Sequence, residues 1–504
     1  MPKTANALAD WRSCFVLLVL IVAHSGCTDA PADRIRFGLP TAPVTLDARF
    51  ATDAVSTRLV RLLHRPLVDF DASAKPMADL ASWEKVSPTR YRFTLRTGTT
   101  FTGGRPVTAR DVVATYRSVL DPATGSPHRS SLINIADLVA LDSRTIVFTL
   151  NTPDELFPGT LVIGVMSESA VASTSTRDRW SENSGAFERL DWHADGRVLL
   201  RRRDDGTLVE FVPVKDETVR AMKLIDGELD IVQGNLEPQT WRWLSGHNHL
   251  HGEQVEGTTF SYLGFNLEDP LLRERKVRLA LLHAIDREAI VKHVFAYAAR
   301  PAAMIFPAQH WAGAEGLAVP QYNPVRAREL LTEAGFTGRL SLHYKTSTDY
   351  FRLRIATILQ SQLAEIGVDL EIESLDWGTF YGDVKSGNFQ VYGLSWVGLK
   401  MPDIFRYAFH STSLPPGGAN RGRYNSATAD DLIEAAERAG SLTARAVLYR
   451  TLAEQLLYDL PYVPLWFEDQ LVVMREDIVN YSTTADGHFD ALANTSRRAT
   501  LVSH

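Results

Sequence analysis

Residues 101–112 read FTGGRPVTARDV and hold the most specific pattern in the chain. The glycine pair that begins at Gly103 favours a turn, and Thr108 is a typical N-cap residue. Apolar residues at helical spacing fill 109–120, and Pro122 follows that segment closely. The stretch therefore predicts a glycine turn that leads directly into an amphipathic helix.

Short apolar strands and amphipathic helices alternate on both sides of this stretch. Gly335 and Gly367 are placed to end two of the helices. The alternation is typical of an α/β fold, and 504 residues exceed one ordinary core, so two or three structural units are expected. Strands are predicted over 34–38, 91–95, 145–150, 207–214 and 368–372, and helices over 58–68, 218–225, 276–298, 324–334, 350–366, 429–439 and 444–458.

The composition and the absent motifs narrow the function class. Hydrophobic residues make up 45% and charged residues 22% of the chain, as in ordinary globular proteins. The net charge is −7 without any basic block, which disfavours a nucleic-acid partner. The sequence contains no G-x-S-x-G, no phosphate loop, no H-E-x-x-H and no G-x-G-x-x-G. It therefore predicts neither an enzyme nor a cofactor, and a hydrolase whose residues meet only in space stays an alternative.

The N-terminal region resembles an export signal. Two basic residues precede the apolar run 14–23, which is too short to cross a bilayer and fits a secretory signal. Cys27 follows Ser-Gly directly, which predicts a lipoprotein in which residues 1–26 are removed and 27–33 form a lipid-anchored tether. His24 stands where such sites usually have Leu or Val, so cleavage by an ordinary signal peptidase is the alternative.

Three alternating histidines, His247, His249 and His251, have a spacing that could bind a metal. On a strand their rings would share one face, and three imidazoles could hold zinc or nickel. The simpler interpretation is a polar surface loop between Gly246 and Gly252, because no cysteine lies nearby. We therefore predict no metal site.

Several further segments occur in the order of one known family. Together with 101–112, they resemble the oligopeptide- and dipeptide-binding class, family 5, of the solute-binding proteins of ABC importers. The resemblance implies an α/β, two-lobe periplasmic-binding-protein fold with an extra inserted domain and a hinged interlobe cleft. The segments are Leu46-Asp47, 65–68 (RPLV), 184–187 (SGAF), 223–230 (KLIDGELD), 276–287 (KVRLALLHAIDR) and 327–336 (ARELLTEAGF).

The same resemblance implies the domain boundaries and the function. The solute would be held between the lobes, and the closed form would pass it to a permease and ATPase complex. We therefore expect a monomeric peptide-binding component of an importer, in the periplasm or at the cell surface, attached to a bacterial membrane by its lipid. Lobe I would comprise 34–70, 180–265 and 475–504, the inserted domain 71–179 and lobe II 266–474, with hinge crossings near 265 and 474.

The predicted ligand site follows the family residue by residue. Peptide binders of this class have tryptophans matched here by Trp377 and Trp396, and an Asp three residues after the second, which pairs with the peptide's α-amino group. Leu399 occupies that position here and cannot neutralise a buried amine. Lys400 follows it and would favour an anion if it faced the cleft, although Asp403 could also reach inward.

We also assign Tyr262, Asn266, Asn420 and His128 to the ligand site. Aromatic rings are typical of closed binding clefts, and family members have an Asn close to the ligand near Asn420. The loop 417–424 adds two arginines among glycines, which could bind an anionic group or form a mobile surface turn.

Three other functions stay open. Leu399 is compatible with a non-peptide solute such as a metal complex, a glycan, an opine-like compound or another anion. The bound form could instead dock to a membrane receptor as a ligand sensor. A hydrolase is the third.

Overall fold

A computed structural model gives the fold and describes residues 34–71, 73–173 and 182–498. From Ile35 onward the chain forms one compact unit. The predicted signal peptide and the lipid site at Cys27 lie outside the described residues. Within the described part of the chain, none of the helices is long and apolar enough to span a bilayer.

Helices and strands alternate as the sequence predicts. The helices are α1 (Ala54–Leu63), α2 (Ala109–Leu120), α3 (Glu168–Ala172), α4 (Glu217–Ile225), α5 (Pro238–Ser245), α6 (Arg275–Ala284), α7 (Arg287–His293), α8 (Pro324–Glu333), α9 (Tyr350–Ala364), α10 (Trp377–Ser386), α11 (Asp403–Phe409), α12 (Ala427–Arg438) and α13 (Leu442–Asp459).

The strands up to the middle of the chain are β1 (Arg34–Leu39), β2 (Val68–Phe70), β3 (Pro76–Ala78), β4 (Ala81–Ser87), β5 (Arg90–Leu95), β6 (Ile135–Ala140), β7 (Thr145–Leu150), β8 (Phe187–Trp192), β9 (Val198–Arg202), β10 (Leu208–Pro213), β11 (Ile231–Gln233) and β12 (Leu250–Phe265). The later strands are β13 (Ala299–Pro301), β14 (Leu340–Ser347), β15 (Val368–Leu375), β16 (Val391–Trp396), β17 (Tyr462–Arg475), β18 (Ile478–Val479) and β19 (Ser496–Arg497).

Two long antiparallel strands, β12 and β17, join the two ends of the main sheet. The strand order is β15-β14-β16-β12-β17-β11-β1-β10-β9-β8, and β13 adds to β17. The final residues of β17 pair with β11, whereas the final residues of β12 pair with β16. The pairing of β12 with β17 is irregular between Val255 and Thr259. These two strands are therefore the covalent link between two groups of strands.

A separate antiparallel sheet, β4-β5-β7-β6, packs with α2 around a core of its own. The predicted helix over 109–120 is confirmed with Thr108 as its N-cap. Asp111, which is 1% exposed, accepts hydrogen bonds from the backbone N and the Oγ1 of Thr108, each at 2.8 Å. It also accepts from Arg105 and from the backbone N of Glu168, so this carboxylate joins the glycine turn to two helices.

Two helix predictions need correction. The segment 276–298 is not one helix, because the chain leaves helical geometry at Ile285 and Asp286 starts α7 by accepting a hydrogen bond from Ala289 N at 2.8 Å. The segment 58–68 is helical only as far as Leu63, and Val68 already belongs to a strand. Both errors arise where apolar spacing continues across a change of backbone direction.

Candidate functional site

The guanidinium of Arg421 lies at the centre of a group of aromatic rings. Arg421 is 6% exposed. It donates from Nη1 to the hydroxyl of Tyr262 and from Nη2 to the hydroxyl of Tyr381, both at 3.1 Å. Its Cζ lies 4.8 Å from the ring centroid of Trp396 and 5.4 Å from that of Tyr381. These are distances at which an aromatic face attracts a cation.

Two further rings extend this group towards solvent. Trp377 stacks on Tyr381 with centroids 5.4 Å apart and planes at 7°, and Trp377 is 58% exposed. Tyr407, which is 41% exposed, approaches Trp396 at 6.3 Å. We call Tyr262, Trp377, Tyr381, Trp396 and Tyr407, together with Arg421, the Arg421 site. It combines a buried cation with aromatic faces that a solute can cover.

The local sequence places each of these side chains on an element of the main sheet or beside it. Tyr262 lies on β12 opposite β16, which ends at Trp396. Trp377 and Tyr381 are one turn apart on α10, which explains their stacking. Asp376 starts that helix by accepting from Thr379 N at 3.2 Å.

Asn420 fixes the loop that carries Arg421. Its Nδ2 donates to the carbonyls of His410 and Tyr424 at 3.1 and 2.7 Å, and its Oδ1 accepts from Tyr424 N at 2.8 Å. Asn420 is 1% exposed, so these bonds are shielded from water. Its side chain therefore positions the loop and leaves the neighbouring arginine free for other contacts.

Leu399 and Lys400 have different surroundings. Leu399 packs against the hydrophobic cluster that contains Tyr262 and Phe405. The Nζ of Lys400 pairs with the carboxylate of Asp486 at 2.6 Å and lies 5.5 Å from the ring of Phe70. The charge of Lys400 is thus already neutralised by the protein, so Arg421 is the better candidate for contact with an anion.

The other predicted site residues use their side chains for internal bonds. His128 Nε2 donates to the carbonyl of Ala51 at 3.0 Å. Asn266 Nδ2 donates to the carbonyls of Gly387 and Phe389 at 3.3 and 3.2 Å. Asp403 begins α11 with Asp154 and Glu437 among its charged neighbours. The structure therefore brings together Tyr262, Trp377, Trp396 and Asn420, while the assignment of these and of the other predicted residues to a ligand site stays a prediction.

The three alternating histidines do not converge. His247 Nδ1 donates to the carbonyl of Trp243 at 3.0 Å, and its ring meets that of His249 edge to face. His251 lies on β12. Across residues 34–71, 73–173 and 182–498, no group of three or more His, Cys, Asp or Glu side chains is arranged to hold a metal ion.

Sequence reasoning missed Tyr381 as a stacking partner and Tyr407 altogether. The signal for Tyr381 was present, because Trp377 and Tyr381 are four residues apart, which is the spacing of neighbours on one face of a helix. Nothing local distinguishes Tyr407, since its contact with Trp396 depends on how two elements pack.

Comparison with known proteins assigns this sequence to a family. The family of bacterial extracellular solute-binding proteins, family 5, matches residues 75–414 through its middle region. The periplasmic oligopeptide-binding protein OppA of Salmonella typhimurium is 26% identical over 470 residues, which cover 84% of this chain and 85% of OppA.

Two solved structures have a similar fold. AppA of Bacillus subtilis, in complex with a nonapeptide, gives a TM-score of 0.80 at 21% identity and covers 92% of this chain and 99% of AppA. AgaA of A. tumefaciens R10, in complex with agropinic acid, gives 0.78 at 21% identity and covers 94% of this chain and 100% of AgaA. The predicted α/β, two-lobe periplasmic-binding-protein fold is confirmed. Since the family match covers more than half of the sequence, the chain belongs to family 5 of the bacterial extracellular solute-binding proteins.

Proposed function

We propose that this chain is the extracytoplasmic substrate-binding component of an ABC importer and that it captures short peptides without making or breaking a bond. The observation that carries the proposal is the Arg421 site, where exposed aromatic faces surround a polar centre. Such a surface suits a small solute with one fixed polar end and variable apolar groups. The names of OppA and AppA, which are peptide binders, support a peptide as the solute.

Capture of a solute would depend on β12 and β17, the two strands that join the two groups of strands in the main sheet. We propose that lobe I comprises 34–70, 180–265 and 475–504, that lobe II comprises 266–474, and that 71–179 form an inserted domain. Bending at β12 and β17 would let the lobes close, and contacts made only in the closed form would shift the population towards it. A transporter can then distinguish the loaded protein from the empty one.

The cellular setting is part of the proposal. We propose that residues 1–26 direct export, that Cys27 carries a lipid, and that the protein works as a monomer at the outer face of a bacterial membrane with a permease and an ATPase. A Cys27→Ser variant tests this: the protein should leave the membrane fraction while it is still exported. Wild-type protein that is absent from the membrane fraction would contradict the lipid anchor.

A second candidate is a non-peptide acid. Leu399 offers no carboxylate for a peptide amine, and the only side-chain partners of the Arg421 guanidinium within the described residues are hydroxyls and rings. AgaA, whose solved complex contains agropinic acid, illustrates that this fold accommodates such a solute.

Thermal unfolding with a panel of solutes separates the two candidates. A solute at one hundred times its Kd stabilises the folded state by about 2.7 kcal/mol. We expect mixtures of di- to pentapeptides to raise the melting temperature, and mass spectrometry should recover the peptides intact. Stabilisation by non-peptide acids alone would reject peptides as the solute. Recovery of shortened peptides would show hydrolysis and would reject a pure binding role.

A further inference from the structure

Arg421 differs from the other buried arginines of the described residues in what it contacts. Each of the others donates either to a carboxylate or to at least two backbone carbonyls. The guanidinium of Arg421 donates only to two tyrosine hydroxyls within the described residues, and no Asp or Glu oxygen there lies within 4.0 Å of it. The six others are Arg49, Arg202, Arg220, Arg278, Arg287 and Arg445.

This arrangement leaves the charge of Arg421 without a counter-ion. A hydroxyl and a ring face stabilise a cation, but neither can neutralise it, and a buried charge without a partner is costly. A guanidinium has five N–H donors. Two of them are used here, so three stay available on a side chain that is only 6% exposed.

The ring beside Arg421 carries a second donor without an acceptor. The indole Nε1 of Trp396 is buried and has no hydrogen-bond partner among the described residues. The Nζ of Lys385 lies 5.0 Å from the ring of Tyr381, so another cation is close to the same ring. Unused donors and positive charge around one set of rings favour an acceptor with negative charge.

We propose that the solute of this protein carries a carboxylate that binds Arg421 through a paired hydrogen bond, with the ring of Trp396 beside it. The planar guanidinium matches a carboxylate in geometry and donates two parallel bonds to it. This inference rests on the proposed capture function and specifies the charged end of the solute. For a peptide, the group is its C-terminal carboxylate or an acidic side chain.

The test compares matched acids and amides on the full chain. Calorimetry measures the binding of a tripeptide mixture with free C-termini and of the same mixture with amidated C-termini. A second arm uses glutarate and its diamide. Wild-type protein should bind the acid of at least one pair about 10- to 100-fold more tightly than the amide, because hydrogen bonds to charged groups are the stronger ones.

Arg421→Gln should abolish the difference between acid and amide, and Arg421→Lys should retain part of it, because Lys keeps the charge without the fork. Arg423→Gln is the matched control. Arg423 lies in the same loop but pairs with Glu268 at 3.2 Å, so its loss removes the same charge and should leave the preference for the acid intact. The melting temperature of each variant without solute checks that it folds.

The outcomes separate this inference from the peptide proposal. Equal binding of acid and amide tripeptides, together with no Arg421-dependent preference for glutarate over its diamide, would overturn the role of Arg421 while leaving peptide capture standing. Arg421-dependent binding of glutarate without any tripeptide binding would support the role of Arg421 and reject peptides. The absence of acid-specific, Arg421-dependent binding in both arms would overturn the inference.

Discussion

At the scale of single residues, the loop 417–424 shows how two similar side chains take different roles. Arg421 and Arg423 are two positions apart, yet only Arg423 has a carboxylate partner, Glu268. The sequence indicates that an arginine of this loop can bind an anion, but it does not identify which of the two. That distinction depends on Glu268, which lies about 150 residues earlier in the sequence.

The same limit applies to Leu399 and Lys400. The sequence correctly indicated that no carboxylate follows Trp396 at the expected spacing. It could not indicate that Lys400 is neutralised by Asp486, because that pairing joins segments 86 positions apart. Charge pairing between distant segments is therefore the part of the site that sequence patterns leave open.

Replacing Trp396 with Ala should weaken solute binding while the protein stays folded. The ring supplies one face of the Arg421 site, and truncating such an aromatic anchor typically costs about 2 kcal/mol or more, which is more than ten-fold in Kd. Calorimetry with the tripeptide mixture measures the effect, and circular dichroism checks the fold.

Trp243→Ala is the matched control for that change. Trp243 is 48% exposed on α5 and contacts His247, so its loss should leave Kd unchanged. Equal affinities for wild type and Trp396→Ala would place the Trp396 ring outside the binding surface.

At the scale of elements, local chemistry decided which predictions were right. Helix α2 was predicted with the correct bounds, because Thr108 and Asp111 act within one turn. The prediction of one helix over 276–298 was wrong, because Asp286 caps a second helix, although the apolar pattern continues past this residue. The full length of β12 also escaped prediction, since its extent follows from pairing with β17 about 200 positions away.

An ion pair contacts the link that β12 and β17 form between the two groups of strands, and it should stabilise that link. Arg352 on α9 donates from both Nη atoms to Glu468 on β17, at 2.7 and 3.1 Å, and Ser261 on β12 donates to the same carboxylate. Burial would raise the pKa of Glu468, but the charge of Arg352 and these hydrogen bonds lower it overall. Glu468 pairs with Thr259, beside the irregular part of β12.

A double-mutant cycle with Glu468→Gln and Arg352→Met should give a coupling energy of about 1–2 kcal/mol, because the pair is bidentate and the Glu468 side chain is only 19% exposed. Urea unfolding monitored by fluorescence supplies the four stabilities.

The exposed pair Arg339 and Asp369 gives the matched cycle, in which both partners are largely accessible. Its coupling should stay below about 0.5 kcal/mol. Equal coupling in the two cycles would show that Glu468 does not reinforce the link.

At the scale of the whole molecule, three buried histidines should make the fold sensitive to acid. Burial lowers the pKa of His64 to about 4 and that of His310 to about 4. Burial also lowers the pKa of His488 to about 3, although Asp486 opposes it. The unfolded chain therefore takes up these protons first. Their stabilising effect is complete above pH 6.5 and is lost as the pH falls from about 6.5 towards 4.

Replacing His64 with Leu should reduce that loss. His64 is 1% exposed, and its lowered pKa corresponds to up to about 3 kcal/mol between pH 7.5 and 4. Melting temperatures at pH 7.5 and 5.0 measure the change. His249→Leu, at an exposed position, should retain the wild-type sensitivity to acid. If His64→Leu lost as much stability between the two pH values as wild type, the burial of this ring would not explain the acid response.

Small-angle X-ray scattering with and without solute tests the central claim, which is that two lobes joined by β12 and β17 close around a captured molecule. At a concentration of the tripeptide mixture that saturates calorimetric binding, the radius of gyration should decrease, and Trp396→Ala should need more solute for the same decrease. Superimposable scattering profiles for the empty and saturated wild-type protein would contradict closure.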